Sequence, residues 1–301
     1  MCKQWENMIK TVLYLIRDDY VFHKSTIKLQ SVFFCELNEE EYKQVDYYFK
    51  AVRQDFGKIL TIMNCIDDTF TMYKEDRFSR PYHELIGGVA QEEMACHIEY
   101  LFIKARVILE YMEEILAICI PRVLPEDKRK EYNIMLEKRG KKIPADRFDY
   151  LLKYISANNK EHNQLLNTSW FQQFRRNRNF LVHRGASCVV FGNKTEILFR
   201  VMKIDEMERD DKIDIDEYFL NERELIRYNR FWGIIISQLI LFCEIIFEFL
   251  LSKAAIMEPQ KEVLENSNYS KRMFSTEEVL DKQAVLEKML NSLLQEERTL
   301  Q

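Results

Sequence analysis

Apolar residues recur at helical spacing over most of the chain. Trp5, Met8, Ile9, Val12, Leu13 and Ile16 mark one face of an amphipathic helix over residues 2–19. Residues 24–36 mix alternation at Ile27 and Leu29 with the run Val32-Phe33-Phe34, and read as a short strand or loop. Asn38 followed by Glu39, Glu40 and Glu41 is a helix start: a capping side chain, then acids suited to the positive end of the helix dipole. Val45, Phe49, Val52, Phe56 and Ile59 carry that helix on to about Tyr73.

Residues 74–90, with Pro81 and Gly87-Gly88, read as a connection. A second long helix is expected from Gln91 to Ile120, stopped by Pro121. Its charged positions Glu99, Arg106, Glu110 and Glu113 share one face, which reads as a solvated face with internal salt bridges. The alternative is a face lining a cleft. Shorter helices are expected at 125–138 and 146–157, and another from Ser169 to Arg184, where Gly185 can end it. A hairpin follows, with Cys188–Phe191 and Thr195–Val201 flanking the turn Gly192-Asn193-Lys194. Residues 212–216 alternate and can add a short strand. Residues 221–255 form a very apolar helix, and 276–298 an amphipathic one at the end of a polar tail. The expected fold is therefore mainly α: a helical bundle with a small β-hairpin insertion and a C-terminal helical tail. The main domain spans 1–256, and 257–301 is linker and tail.

Composition sharpens this picture. Only 7 Gly and 5 Pro in 301 residues leave long helices uninterrupted. The seven cysteines are scattered and form no C-x-x-C pair, so they read as reduced thiols acting as small hydrophobes in a cytoplasmic protein. A zinc site would need clustered Cys and His. The N-terminus lacks a secretory signal pattern. The run from Phe231 to Leu251 is long enough to cross a membrane, but Gln238, Glu244 and Glu248 interrupt it. Arg230, Gly233, Ser237, Glu244 and Glu248 fall on one narrow stripe, so a helix buried on most sides with one polar seam is expected, and no membrane partner. Eight acids crowd residues 205–217, but their spacing matches no divalent-ion loop, and no metal or cofactor is expected.

Charge is uneven. The whole chain carries a net charge of -5, yet residues 122–184 hold fifteen Lys and Arg against seven acids. A basic stretch inside an acidic protein suits a phosphate-bearing ligand such as RNA or a nucleotide, although a lysine-rich solvated loop at 128–142 would give the same count. Within it stands Arg175-Arg176-Asn177-Arg178-Asn179-Phe180-Leu181-Val182-His183-Arg184. His183 is one of five histidines. His97, on the second long helix, reads as a satisfied core or boundary residue, and Trp170 and Phe174 as core anchors.

Arg178-Asn179-x-x-x-His183 resembles the R-x4-6-H signature of the HEPN superfamily, in which a polar residue follows the arginine and the motif lies on a helix of a small bundle. The resemblance covers roughly residues 38–255, with the hairpin and the acidic loop outside the minimal bundle. It implies a metal-independent endoribonuclease in stress response or defence, commonly a homodimer that brings two motifs together, or an inactive relative that binds RNA or nucleotide. Arg178, Asn179 and His183 would then be catalytic, with Arg175, Arg176 and Arg184 holding phosphate. The residue types suit that chemistry. RNA carries its own nucleophile, a histidine can move a proton at neutral pH, and an arginine can hold a phosphate by two hydrogen bonds. The register stays open. Positions five apart lie about 140° apart around a helix, whereas positions seven apart nearly align, so helix geometry favours Arg176 and the family pattern favours Arg178. A third class of function is a helical scaffold that binds a protein partner through the C-terminal helix.

Overall fold

The computed structural model describes residues 2–17, 22, 29, 37–77, 84–139, 150, 152–157, 178–179, 181–183, 187–202, 225–254 and 288. Helix accounts for 83% of them, and one small antiparallel sheet supplies the strands. The fold class is therefore mainly α with a small β insertion. In chain order the elements are α1 (Cys2–Arg17), α2 (Glu39–Arg77), β1 (Glu84–Leu85), α3 (Gly88–Val123), α4 (Glu126–Arg139), β2 (Ser187–Gly192), β3 (Ile197–Met202), β4 (Ile226–Arg227) and α5 (Tyr228–Ala254).

Local signals explain most of these boundaries. Asn38 opens α2 with a reciprocal cap: its Oδ1 accepts the Glu41 N–H at 2.9 Å, and its own N–H donates to Glu41 Oε2 at 3.0 Å. The hairpin turn is held by Asn193, whose Oδ1 accepts the N–H groups of Thr195 (2.8 Å) and Glu196 (3.0 Å). Gly192 pairs with Ile197, so it belongs to the strand and the loop is 193–196. Three expected boundaries move. Gly88, at φ 65°, opens α3 three residues before Gln91. Pro121 lies inside the last turn of α3, which runs on to Val123; a proline that close to a helix end removes only one late hydrogen bond. The last long helix starts at Tyr228, because Ile226 and Arg227 are taken up as β4 beside Phe199 and Leu198.

The sheet order is β1-β2-β3-β4, all neighbours antiparallel. β1 lies within the segment read as a plain connection. Of residues 24–36 only Leu29 is described, and it is helical and buried. The alternating segment 212–216 and the acidic loop lie outside the described residues. So does the C-terminal helix except for Lys288, which is helical and exposed.

The chain forms two compact units. The first comprises Met1–Leu13, Gly57–Val107 and Ser169–Ile236. Its aromatic core centres on Phe102, whose ring meets Trp232 at 4.7 Å, Phe231 at 5.8 Å and Phe199 at 6.2 Å between centroids. These rings join α3, β3 and α5 in tilted or edge-on contacts, the arrangements aromatic quadrupoles favour. On α1, Glu6 accepts a hydrogen bond from Asn229 at 3.2 Å, and Lys10 is paired with both Glu6 and Asp67. The Tyr228 hydroxyl is buried without a hydrogen-bond partner among the described residues. Burial and then the Glu6 charge push its pKa up.

The second unit comprises Tyr14–Phe56, Ile108–Thr168 and Ser237–Gln301. Here α2 and α3 run antiparallel, joined by Tyr48 with Tyr111 and by Arg122, whose Nη2 reaches both oxygens of Glu41 at 2.8 Å. Phe247 of α5 packs on Phe49 and Phe22 at 5.4 Å each. Phe22 holds a left-handed backbone, φ 66°, rare for a bulky side chain. The charged face of α3 is not the solvated surface its spacing suggests: Glu99, Arg106 and Glu110 are half-buried, and Glu113 is 4% exposed.

Helix α5 passes the length and hydropathy test for a membrane span, and 78% of its most apolar window is buried inside the protein. The helix is buried on most sides, as expected, and burial extends into the polar seam. Ser237 is fully buried, Gln238 nearly so, and only Glu248 of the seam's acids is exposed.

Candidate functional site

Strand β2 leaves half of one edge open, because β1 pairs only with Phe191 and Gly192. An unpaired edge presents backbone groups that must find partners when buried. Helix α3 supplies them. The Ile86 N–H, at the entry to α3, donates to the Val190 carbonyl at 3.0 Å. Gln91 Oε1 accepts the Val190 N–H at 3.0 Å, and Gln91 Nε2 donates to the Cys188 carbonyl at 3.3 Å. Glu99 Oε1 accepts the Cys188 N–H at 2.8 Å. Two side chains, two helical turns apart, thus replace the missing strand. Glu99 takes this place at a cost: desolvation raises its pKa, opposed by the Cys188 N–H. Sequence reasoning placed Glu99 on a charged face that either meets solvent or lines a cleft, and took Gln91 only as the start of the helix; it gave neither a strand as partner. Nothing local marks either residue, since their partners lie 89 to 99 residues away.

The motif lies just before this clamped strand. Residues 178, 179 and 181–183 are helical. Arg178 and Asn179 are half-buried, and His183 is exposed beside Val182. Arg178 Nη1 lies 3.2 Å from His183 Nε2 and donates to Asn179 Oδ1 at 3.3 Å. The three residues of the motif therefore meet at one guanidinium nitrogen. Positions five apart do not share a helix face, so it is the length and reach of the arginine side chain that closes the gap. Arg178 faces His183; Arg176, the residue of the other register, is not among the described residues. Arg175, Arg176 and Arg184, expected to hold phosphate, lie outside the described residues, as do Trp170 and Phe174.

The chemistry of the contact fixes one further detail. An arginine N–H can only donate, so the contact is a hydrogen bond when His183 offers the Nε2 lone pair and carries its ring proton on Nδ1. The guanidinium Nε is buried with no hydrogen-bond partner among the described residues.

Other candidates fall differently. His97 is half-buried, at the boundary position expected, and its Nδ1 is buried without a hydrogen-bond partner among the described residues. Cys65, Cys96, Cys119, Cys188 and Cys243 are free thiols; Cys119, Cys188 and Cys243 are buried, Cys65 is intermediate and Cys96 is exposed. Burial raises the pKa of all three buried thiols, that of Cys119 to about 12 with help from Glu41. Among the described residues, no three His, Cys, Asp or Glu side chains are grouped to hold a metal ion. Set against known protein families, characterised proteins and solved structures, the chain matches none.

Proposed function

We propose that this chain is a metal-independent endoribonuclease of the HEPN type, with Arg178, Asn179 and His183 as its catalytic group. The observation that carries this reading is the 3.2 Å approach of the Arg178 guanidinium to Nε2 of an exposed histidine, with Asn179 on the same nitrogen. The basic excess of residues 122–184 supports an RNA substrate. In the proposed reaction His183 Nε2 takes the proton of a ribose 2'-hydroxyl. The 2'-oxygen attacks the adjacent phosphorus, the bond to the 5'-oxygen breaks, and the departing oxygen takes a proton from the imidazolium of a second copy. The products are a 2',3'-cyclic phosphate end and a 5'-hydroxyl end. Arg178 holds the phosphate and stabilises the charge that grows on it in the transition state. Arg175, Arg176 and Arg184 extend the contact along the backbone. The same reading makes the protein a cytoplasmic homodimer that needs neither metal nor cofactor.

The test is incubation of the purified protein with mixed RNA in EDTA, beside His183→Ala and Arg178→Ala. Removing the proton-transfer group should lower cleavage by roughly 10²–10⁴-fold with folding intact. Cleavage by His183→Ala at the wild-type rate would end the assignment.

One observation favours a second reading. The His183 lone pair that would serve as base is already engaged by Arg178. A non-catalytic RNA- or nucleotide-binding module would keep that bond permanently. It would show ligand-induced stabilisation with no product.

A further inference from the structure

We propose that Arg178 gates His183: a phosphate oxyanion and the imidazole compete for the same guanidinium nitrogen, and an arriving phosphate releases the base. The inference rests on reading Arg178, Asn179 and His183 as the working cluster, and deepens it by naming how the site is switched on.

A guanidinium has five N–H groups in one rigid plane, one on Nε and two on each terminal nitrogen. In Arg178 they are unevenly disposed. Nε is buried, with no hydrogen-bond partner among the described residues. The two N–H groups of Nη1 are matched by two acceptors, Asn179 Oδ1 at 3.3 Å and His183 Nε2 at 3.2 Å. Nη2 makes no hydrogen bond among the described residues, and it is not enclosed as Nε is.

An arginine holds a phosphate best through two parallel N–H groups. One such pair runs from Nε to a terminal nitrogen, and burial of Nε closes it to a ligand. The other pair joins Nη1 to Nη2. A phosphate that takes this second pair finds Nη2 open and Nη1 in use, so one of the two acceptors has to leave. His183 is the one that yields. It is exposed whereas Asn179 is half-buried, so water satisfies a released imidazole more readily than a released amide. An anionic oxygen also outcompetes a neutral ring nitrogen for a charged donor, because charge on both partners strengthens the bond.

The contact has two effects in the ligand-free protein. It keeps the ring proton on Nδ1, and it occupies the Nε2 lone pair. Phosphate at Arg178 then frees a nitrogen already in the form that accepts a proton. A base tied up at rest is thus unmasked only when a phosphate, and with it the neighbouring 2'-hydroxyl, is in place.

The test reads binding and tautomer rather than cleavage, so it stands apart from the ribonuclease assignment. The probe is inorganic phosphate at constant ionic strength, balanced with chloride. Long-range ¹H–¹⁵N spectra of the full chain follow the His183 ring nitrogens. Without phosphate the wild type should show the Nδ1–H form, and saturation should bring mixed tautomers. Arg178→Met, close in length and without donors, should show mixed tautomers from the start and no further change. Reciprocity supplies the decisive measurement. Where phosphate has to break the Arg178–His183 bond, removing the imidazole removes that cost. His183→Ala should therefore bind inorganic phosphate more tightly than wild type, by roughly three- to tenfold, the worth of one hydrogen bond. Equal or weaker binding by His183→Ala would overturn the proposal, since a histidine that merely shares in holding the anion predicts a loss. So would an Nδ1–H signature that persists at saturating phosphate, which would assign the displacement to Asn179. Should Arg178→Met fail to fold, the His183→Ala comparison, made at an exposed position, decides alone. Absence of RNA cleavage by the wild type, with these results as expected, would discard the enzyme reading and leave Arg178 and His183 as a phosphate-switched pair.

Discussion

Replacing Gln91 with leucine tests the idea that two side chains stand in for a strand. Gln91 satisfies two backbone groups at once, the Val190 N–H at 3.0 Å and the Cys188 carbonyl at 3.3 Å. Val190 is fully buried and Cys188 nearly so. Leaving a buried donor unpaired costs about 1–3 kcal/mol, and an under-satisfied carbonyl rather less. Leucine is close in volume and half-covered at this site, so it returns a fraction of the loss by burying apolar surface. The expected net destabilisation is about 2–4 kcal/mol, equivalent to a fall in Tm of roughly 5 °C or more in a chain of this size. Urea unfolding measures the first quantity, and amide exchange at Val190 localises it. Gln91→Glu adds a sign test. At neutral pH its second oxygen faces the Cys188 carbonyl, two acceptors in opposition, and the variant should be destabilised. Below the carboxyl's raised pKa the protonated group donates as the amide did, so stability should recover on acidification. A Gln91→Leu protein within about 0.5 kcal/mol of wild type, with slow exchange kept at Val190, would show that the edge is satisfied by other means.

Further expectations follow from other contacts. Asn38→Ala should cost about 1 kcal/mol, the usual worth of a helix cap, and Glu41→Ala more, because Glu41 also binds Arg122; equal losses in urea titrations would mean the Arg122 bond contributes nothing. Glu99 has a folded-state pKa above its ordinary 4.5, so its contribution is complete below that pH and declines as pH rises through the raised value. The stability of Glu99→Gln relative to wild type should therefore increase between about pH 4 and about pH 7, and a flat difference would contradict the burial argument. Iodoacetamide on the native protein should modify Cys96, with Cys119, Cys188 and Cys243 reacting only after denaturation; peptide mapping that finds Cys119 labelled as fast as Cys96 would refute this.

Much of the fold was legible residue by residue. The start of α2 follows from Asn38 and Glu41, three positions apart. The hairpin follows from Asn193 between two β-rich runs, and α1 from a period of apolar residues. The two-residue strands β1 and β4 were not legible, because segments that short exist only as partners of β2 and β3. The candidate site divides in the same way. Arg178, Asn179 and His183 announce themselves as a motif of six residues. That Arg178 meets the imidazole depended on side-chain reach, which helix spacing does not describe.

What the chain determined alone are its local elements, where capping groups, turn residues and apolar periods act over three or four positions and need little loop closure. What only the tertiary structure decided are the contacts across long stretches of chain. A glutamine and a glutamate on α3 became the border of a sheet, and a charged face became half-buried. Val190 and Cys188 required partners for their backbone groups, and the folded chain brought α3 to that edge. A polar side chain on a helix carries no local sign of whether it will meet water or a strand 89 residues away.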